Sequence, residues 1–199
     1  MTVRGKGNII MKLMGYKREN GTFGIRNHLL ILPTSVCSSE TAQRIAALVP
    51  GAVAIPHQHG CCEIGDDFDT TKRTLVGFGK NPNVGAVLVV GLGCEGIQAK
   101  DIADEIKTTG KPVEYIVIQE EGGTAKTVSK GVEIAGKMAR EISKQNKVEF
   151  DISEIILGLE CGGSDPTSGL ASNPSIGVAS DMLVSMGGSS ILSETTEVI

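Results

Sequence analysis

The stretch Ala86-Val87-Leu88-Val89-Val90-Gly91-Leu92-Gly93-Cys94-Glu95-Gly96 decides how the rest of this chain is read. It opens as an unbroken apolar run rich in β-branched side chains, the composition of a strand covered on both faces of a parallel sheet. Glycines interrupt it, and a helical pattern follows from Ile97 to Lys107. Strand, glycine turn and helix in that order place Cys94 and Glu95 at the carboxyl end of a central strand, where open α/β sheets form their ligand crevice. The same residues spell Gly91-x-Gly93-x-x-Gly96, a formal match to the dinucleotide fingerprint. Against that reading, anionic Glu95 would repel a pyrophosphate. A plain tight turn, with Cys94 packed as a small apolar residue, is the other alternative.

Working outward, 199 residues with 40% hydrophobic and 21% charged side chains suffice for a real core. A formal net charge of −4 and a pI near 5.4 argue against a nucleic-acid or anionic-membrane surface, which needs clustered Lys and Arg. No apolar run approaches the roughly 20 residues that span a bilayer, and residues 1–14 lack the form of a signal peptide. These features predict a cytoplasmic protein. Five cysteines without secreted-scaffold spacing point to thiols that do chemistry or packing rather than to disulfides.

In chain order, residues 1–14 read as a leader, and Asn20-Gly21 marks a turn flanked by Arg18 and Arg26. Strands are predicted at 28–35, 52–56, 86–90, 113–118, 154–159 and 189–193. Helices lie between them, the first capped by Ser38 or Ser39. Val128, Val132, Ala135, Ala139 and Ile142 recur at helical spacing and mark the clearest amphipathic helix. The alternation predicts one α/β domain over residues 15–199: a doubly wound, mainly parallel sheet, Rossmann-like or flavodoxin-like, with helices on both faces.

On that frame Cys37, Cys61, Cys62, Cys94 and Cys161 all fall at or just beyond the carboxyl ends of predicted strands. His57, His59, Glu95, Gln119, Glu120, Glu160 and Asp165 share the same crest, and convergent polar groups in a crevice mark a site. Mixed N, O and S donors suit an open catalytic ion such as iron, manganese or zinc, while packing against the following helix is the alternative for any single cysteine. Gly122-Gly123-Thr124 and Gly162-Gly163-Ser164 offer bare backbone N–H groups that can hold an anion. Together these features suit a small carboxylate better than a nucleotide.

The spaced motifs Gly15-Tyr16-x-Arg18, Gly24-x-Arg26-Asn27, Cys37-Ser38, His57-x-x-Gly60-Cys61, Gly91-Leu92-Gly93-Cys94-Glu95, Gln119-x-x-Gly122-Gly123-Thr124, Cys161-Gly162-Gly163-Ser164-Asp165, Asn173-Pro174 and Ser193-Glu194-Thr195 resemble the altronate and galactarate dehydratase family. That family also includes the large subunit of sulfolactate sulfo-lyase. The resemblance implies a cytoplasmic lyase that removes water from a sugar acid to give a 2-keto-3-deoxy acid, with a divalent metal, usually Fe2+ or Mn2+. Family members are about twice this long, so the chain reads as the first α/β domain of a larger enzyme, lacking a C-terminal catalytic partner domain. Where the dehydratase pattern commonly runs His-Gly-Thr-Gly-Cys-Gly, this chain has His57-Gln58-His59-Gly60-Cys61-Cys62, which leaves a sulfonated hydroxy acid open as substrate.

For metal-assisted β-elimination the candidate roles are as follows. His57, Glu95 and Glu120 are the acid–base candidates, and His57, Cys61, Cys94 and Cys161 the metal set. Arg18, Arg26 and Asn27, with the loops Gly122, Gly123, Thr124 and Gly162, Gly163, Ser164, Asp165, are the substrate contacts. A homo-oligomer, with or without a separate small subunit, is the expected assembly. A nicotinamide-binding oxidoreductase and a non-catalytic assembly domain are the alternatives from other classes.

Overall fold

The computed structural model describes residues 12–160, 162–163 and 165–193. They divide into two compact units, one of residues 16–147 and the other of residues 12–15 with 148–193.

The first unit is built on four parallel strands: β3 (His28–Pro33), β4 (Ala52–Ala54), β5 (Val84–Gly91) and β6 (Val113–Val117). Their order across the sheet is β4-β3-β5-β6, so the chain moves to one side of β3 and then to the other. The reversal falls between β3 and β5, which pair in register from Leu29↔Ala86 to Pro33↔Val90. All eight residues of β5 are buried, the burial that its unbroken apolar run requires. Before the sheet, β1 (Lys12–Lys17) turns through Asn20-Gly21 into β2 (Phe23–Gly24), with Gly21 at φ 87°. This is the hairpin that Asn-Gly predicts.

Four helices cover the sheet, two on each face. α2 (Gly65–Lys80) and α3 (Ala99–Lys107) bring Leu75, Val76, Ile102 and Ile106 onto Leu30, Leu32, Val87 and Val89. α1 (Val36–Leu48) and α4 (Thr124–Ile142) bring Ala42, Ile45, Ala135, Met138 and Ile142 onto Leu29, Ile31, Ala86, Leu88 and Val90. The alternation of strand residues between these two clusters is the period of two that a sheet imposes. The N-cap of α1 is Ser35, one turn earlier than the sequence suggests. Ser38 sits at the third helical position, where its hydroxyl accepts from the Ser35 N–H at 3.3 Å and donates to the Ser35 carbonyl at 3.0 Å.

In the second unit, β7 (Val148–Asp151) runs antiparallel to residues 12–15 of β1. β8 (Ile156–Leu159) pairs in parallel with β9 (Ser189–Leu192), joined through α5 (Asn173–Ser185). The two last predicted strands therefore do not extend the four-stranded sheet but form a pair of their own. Only Leu183 of α5 is buried, and Ile176, Val178, Met182 and Val184 are exposed.

The first unit draws its stability from the two clusters flanking β5. Truncation of the fully buried Leu88 to Ala is expected to lower the unfolding free energy by about 2–5 kcal/mol in urea titrations, as cavity-forming core substitutions do.

Candidate functional site

The carboxyl ends of β3, β5 and β6 carry the crest, and its geometry is set by Glu95. This carboxylate is 4% exposed. Its Oε1 accepts from the Thr34 hydroxyl at the end of β3 and from the Leu92 N–H, both at 2.8 Å, and Oε2 accepts from the Gly93 N–H at 2.5 Å. A Cβ on Gly91 would lie 2.8 Å from Oε1 and 2.9 Å from Ala99 Cβ, so glycine there makes room for the carboxylate and the helix. Gly93, at φ 122°, packs against Gln119 beyond β6, whose N–H donates to the Leu92 carbonyl at 3.0 Å. One acidic side chain thus ties the ends of β3 and β5 together, and its loop reaches β6.

This arrangement answers the dinucleotide reading. The N–H groups that a pyrophosphate would need at Leu92 and Gly93 are already taken by the chain's own carboxylate. It also corrects the assignment of Glu95 as ligand or base, because both oxygens are engaged in the fold. Burial pushes the carboxyl up, but hydrogen bonds from its own N–H, Gly93, Thr34 and Leu92 outweigh that and hold it below the usual carboxylate range.

The second stretch of the crest runs from His57 to Glu63. His57 Nδ1 accepts from the His59 N–H at 3.2 Å, which leaves Nε2 to donate to the Pro33 carbonyl at 2.9 Å. Its backbone is pinned as well, since the Ser39 hydroxyl bonds both the His57 carbonyl and N–H. Gly60, at φ 87°, lies so close to β3 that a Cβ would meet the Thr34 carbonyl oxygen at 2.2 Å, and the Val36 N–H donates to the His59 carbonyl. His57 is therefore a brace for this loop. His59 is the exposed imidazole, with Nδ1 3.5 Å from Glu63 Oε1. Burial raises the Glu63 carboxyl, yet the neighbouring Gly60 amide, Thr71 hydroxyl and the imidazoles of His59 and His57 keep it low. The His59–Glu63 pair went unassigned in the sequence; its signal was the i, i+4 spacing after the cluster's second histidine.

Cys37, Cys61, Cys62 and Cys94 are exposed free thiols. Cys62 has φ 59°, a left-handed conformation that costs a non-glycine residue on the order of 1 kcal/mol and that explains the glycine of the dehydratase pattern at this position. Beyond β6, Glu120 is exposed, Glu121 pairs with Lys130 at 2.5 Å, and Gly123 at φ 112° is the N-cap from which Thr124 starts α4. The Gly122 and Gly123 N–H groups close the turn onto the Gln119 and Ile118 carbonyls.

Other expected contacts lie elsewhere. Arg18 and Asn27 sit at the amino ends of the strands, opposite the crest. Arg18 is 5% exposed and donates to the carbonyls of Pro82 (2.7 Å) and Arg26 (3.1 Å) and to the side chains of Asn27 (2.9 Å) and Gln145 (3.2 Å). Asn27 in turn donates to the Ile142 carbonyl ending α4 at 2.9 Å, and Arg26 is exposed beside them. This guanidinium braces the sheet rather than a substrate. Lys111 works at the same edge, donating to Gly79 and Asn81 at the end of α2, and burial brings its ammonium down to about 8. Gly162, Gly163 and Asp165 are exposed in the second unit, where Asp165 Oδ1 accepts from Thr167 and Ser168 as a turn cap. Cys161 and Ser164 lie outside the described residues.

Of the expected metal set, His57, Cys61 and Cys94 are among the described residues and Cys161 is not. Among the described residues no three His, Cys, Asp or Glu side chains are grouped to hold one ion, and both nitrogens of His57 are committed to the backbone. Nor is any helix among those residues long and apolar enough to cross a membrane.

The order β4-β3-β5-β6 puts the polar crest at the strand-order reversal, where open α/β sheets form their crevice. Residues 15–143 match the family model of D-galactarate dehydratase/altronate hydrolase, second domain, and residues 152–199 match that of the D-galactarate/altronate dehydratase C-terminal domain. The chain belongs to this dehydratase and lyase family. It is 39% identical to the (2R)-sulfolactate sulfo-lyase subunit beta of Chromohalobacter salexigens, over 92% of this chain and 46% of that protein. It is 33% identical to the altronate dehydratase of Bacillus subtilis, over 92% of this chain and 38% of that protein. With the galactarate dehydratase (L-threo-forming) of Escherichia coli it shares 36% identity over 63% of this chain and 25% of the relative. The chain thus spans less than half the length of these curated relatives.

Two outcomes check the assignments. Glu95→Gln is expected to cost about 1–3 kcal/mol of stability at neutral pH, since an amide cannot accept from both backbone donors and the hydroxyl together. Because the folded carboxyl is held low, its contribution is present above the unfolded value of about 4.3 and is lost as pH falls through the lower folded value. The gap between variant and wild type in urea melts should therefore close in acid. Arg18→Met should also destabilise by about 1–3 kcal/mol, leaving buried acceptors unpaired, while any substrate's KM stays unchanged.

Proposed function

We propose that this chain supplies the α/β portion of a lyase that dehydrates a sugar acid, such as altronate or galactarate, to a 2-keto-3-deoxy acid. The observation that carries the reading is the family match over residues 15–143, the segment in which the sheet and its glycine-opened crest reside. In the reaction the C2 proton passes to a base, the C–H electron pair becomes a C2=C3 double bond, and the C3–O bond breaks as the departing hydroxyl takes a proton from a general acid and leaves as water. The resulting enol then rearranges to the keto acid.

In this reading Glu120, exposed at the turn after β6, receives the proton. The open N–H groups of the first turn of α4, from Thr124 onward, face the anionic carboxylate. Glu95 acts by position, holding the Leu92–Gly93 turn at a fixed height beside these groups. The protein is proposed to work in the cytoplasm as a homo-oligomer.

Two residues favour a second reading. His59 stands where the dehydratase pattern commonly has Thr and Cys62 where it has Gly, and the relative at 39% identity is named for sulfolactate. With a sulfonated hydroxy acid the same elimination breaks a C–S bond and releases sulfite. The exposed imidazole of His59, 3.5 Å from Glu63, offers that anionic leaving group a hydrogen-bond partner. The relative is named as a subunit, so a separate small subunit belongs to this reading.

Assays of the purified protein with altronate, galactarate and (2R)-sulfolactate separate the readings: 2-keto acid without sulfite supports the first, keto acid with equimolar sulfite the second. His59→Thr is expected to lower kcat/KM for the sulfonate about tenfold or more, the usual scale for a lost proton-transfer or charge contact. No elimination from any of the three would refute both readings.

A further inference from the structure

A groove of about 450 Å³ lies between the carboxyl end of α1 and the middle of α4. Leu48, Pro50, Val132 and Gly136 line it, and Leu48 is 62% exposed. Glu133, Lys137 and Arg140 of α4 form its rim. All three are exposed, and among the described residues none of them enters an ion pair, although Glu133 and Lys137 stand at the i, i+4 spacing that favours one. We propose that this groove is the contact surface between two copies of the chain, related by a two-fold axis at Gly136 with their α4 helices antiparallel. The proposal gives a surface to the homo-oligomer of the preceding reading, and it rests on that reading only for self-association, not for the lyase chemistry.

The order of charges selects a second copy as the occupant. A two-fold contact presents the same patch from both sides, so the patch must complement itself. In antiparallel helices crossing at Gly136, positions equally far before and after that residue oppose each other. Glu133 lies three positions before Gly136 and Arg140 four after it, so each carboxylate comes opposite the other copy's guanidinium, with Lys137 beside it. A rim of one sign would call for a partner of the opposite charge, whereas this rim carries both signs in an order that the rotation reverses. Gly136 opens the axis itself. A Cβ built there meets only Arg140 Nη1, at 3.7 Å, so no side chain of the same copy covers the backbone and two helices can approach closely. Leu48, Pro50 and Val132 then supply the apolar centre inside the charged rim, the usual anatomy of a protein interface. The surface is clear of the crest. α1 starts at the crest beside Ser35, and Leu48 ends it about 20 Å away along the helix.

The test is sedimentation equilibrium of the purified protein without substrate, read as mass against concentration. A monomer–dimer equilibrium is expected, with a dissociation constant that rises with salt. Glu133→Lys, which leaves a rim of one sign, should raise that constant about tenfold or more. The triple variant Glu133→Lys, Lys137→Glu, Arg140→Glu should return it toward the wild-type value, because the exchanged charges are again self-complementary. Gly136→Gln should also raise it about tenfold or more by filling the axis. Its urea midpoint, measured at a concentration where both proteins are monomeric, should equal or exceed that of the wild type, since glutamine suits a helix better than glycine and meets open space there. Wild-type association in both Glu133→Lys and Gly136→Gln would overturn the proposal by showing that the copies meet through another face. A wild type that stays monomeric at all concentrations would also overturn it and leave the groove to a different chain. Mass is read without turnover, so failure here does not touch the elimination assays, and failure of those assays does not touch this surface.

Discussion

The crest depends on a buried carboxylate that forms no ion pair among the described residues. Glu95 is held by a hydroxyl and backbone amides, and a carboxylate so supplied with donors stays ionised out of water. Its position links three strands: Thr34 belongs to the end of β3, Leu92 and Gly93 follow β5, and the turn they form is bonded to Gln119 after β6. The separation of Gly91, Gly93 and Glu95 follows from this. Gly91 leaves space for Oε1, and Gly93 brings its N–H round to Oε2 with a positive φ.

The two ends of the same parallel strands are used differently. At the amino end the polar groups of Arg18, Asn27 and Lys111 are spent on carbonyls and side chains of the chain itself, so their chemistry is structural. At the carboxyl end Glu95 and His57 are spent likewise, but they form a lower tier. Above it His59, Glu120 and the four thiols remain exposed. The lower tier fixes where the upper tier stands, and only the upper tier is free to meet a ligand.

This division accounts for what the sequence revealed and what it did not. The buried run at 86–90 and the period of α4 were legible because burial on both faces and on one face leaves a direct imprint on hydropathy. The convergence of Cys37, Cys61, Cys62 and Cys94 on one sheet edge was legible from strand ends alone. What stayed hidden was the partner of each polar group. Nothing in the residues near Arg18 shows that Pro82 and Gln145, far along the chain, will absorb its donors. Likewise Glu95 looked like a free carboxylate because its Thr34 partner belongs to another strand. The strands at 156–159 and 189–192 carried strand-like residues, but composition does not say which sheet a strand joins, and they pair with each other.

The loop from His57 to Glu63 is where the chain parts from the dehydratase pattern without disturbing the frame. His57, Gly60 and Cys61 retain the pattern's residues, and the contacts of the first two explain why: the ring bridges two backbone groups, and Gly60 has no room for a side chain against Thr34. Gln58, His59 and Cys62 are the replacements, and all three residues are exposed. Substitutions confined to the exposed positions of a pinned loop change the chemistry presented to a ligand while the scaffold beneath stays the same. Cys62 carries that change at a backbone cost, since its φ of 59° is one glycine would adopt freely.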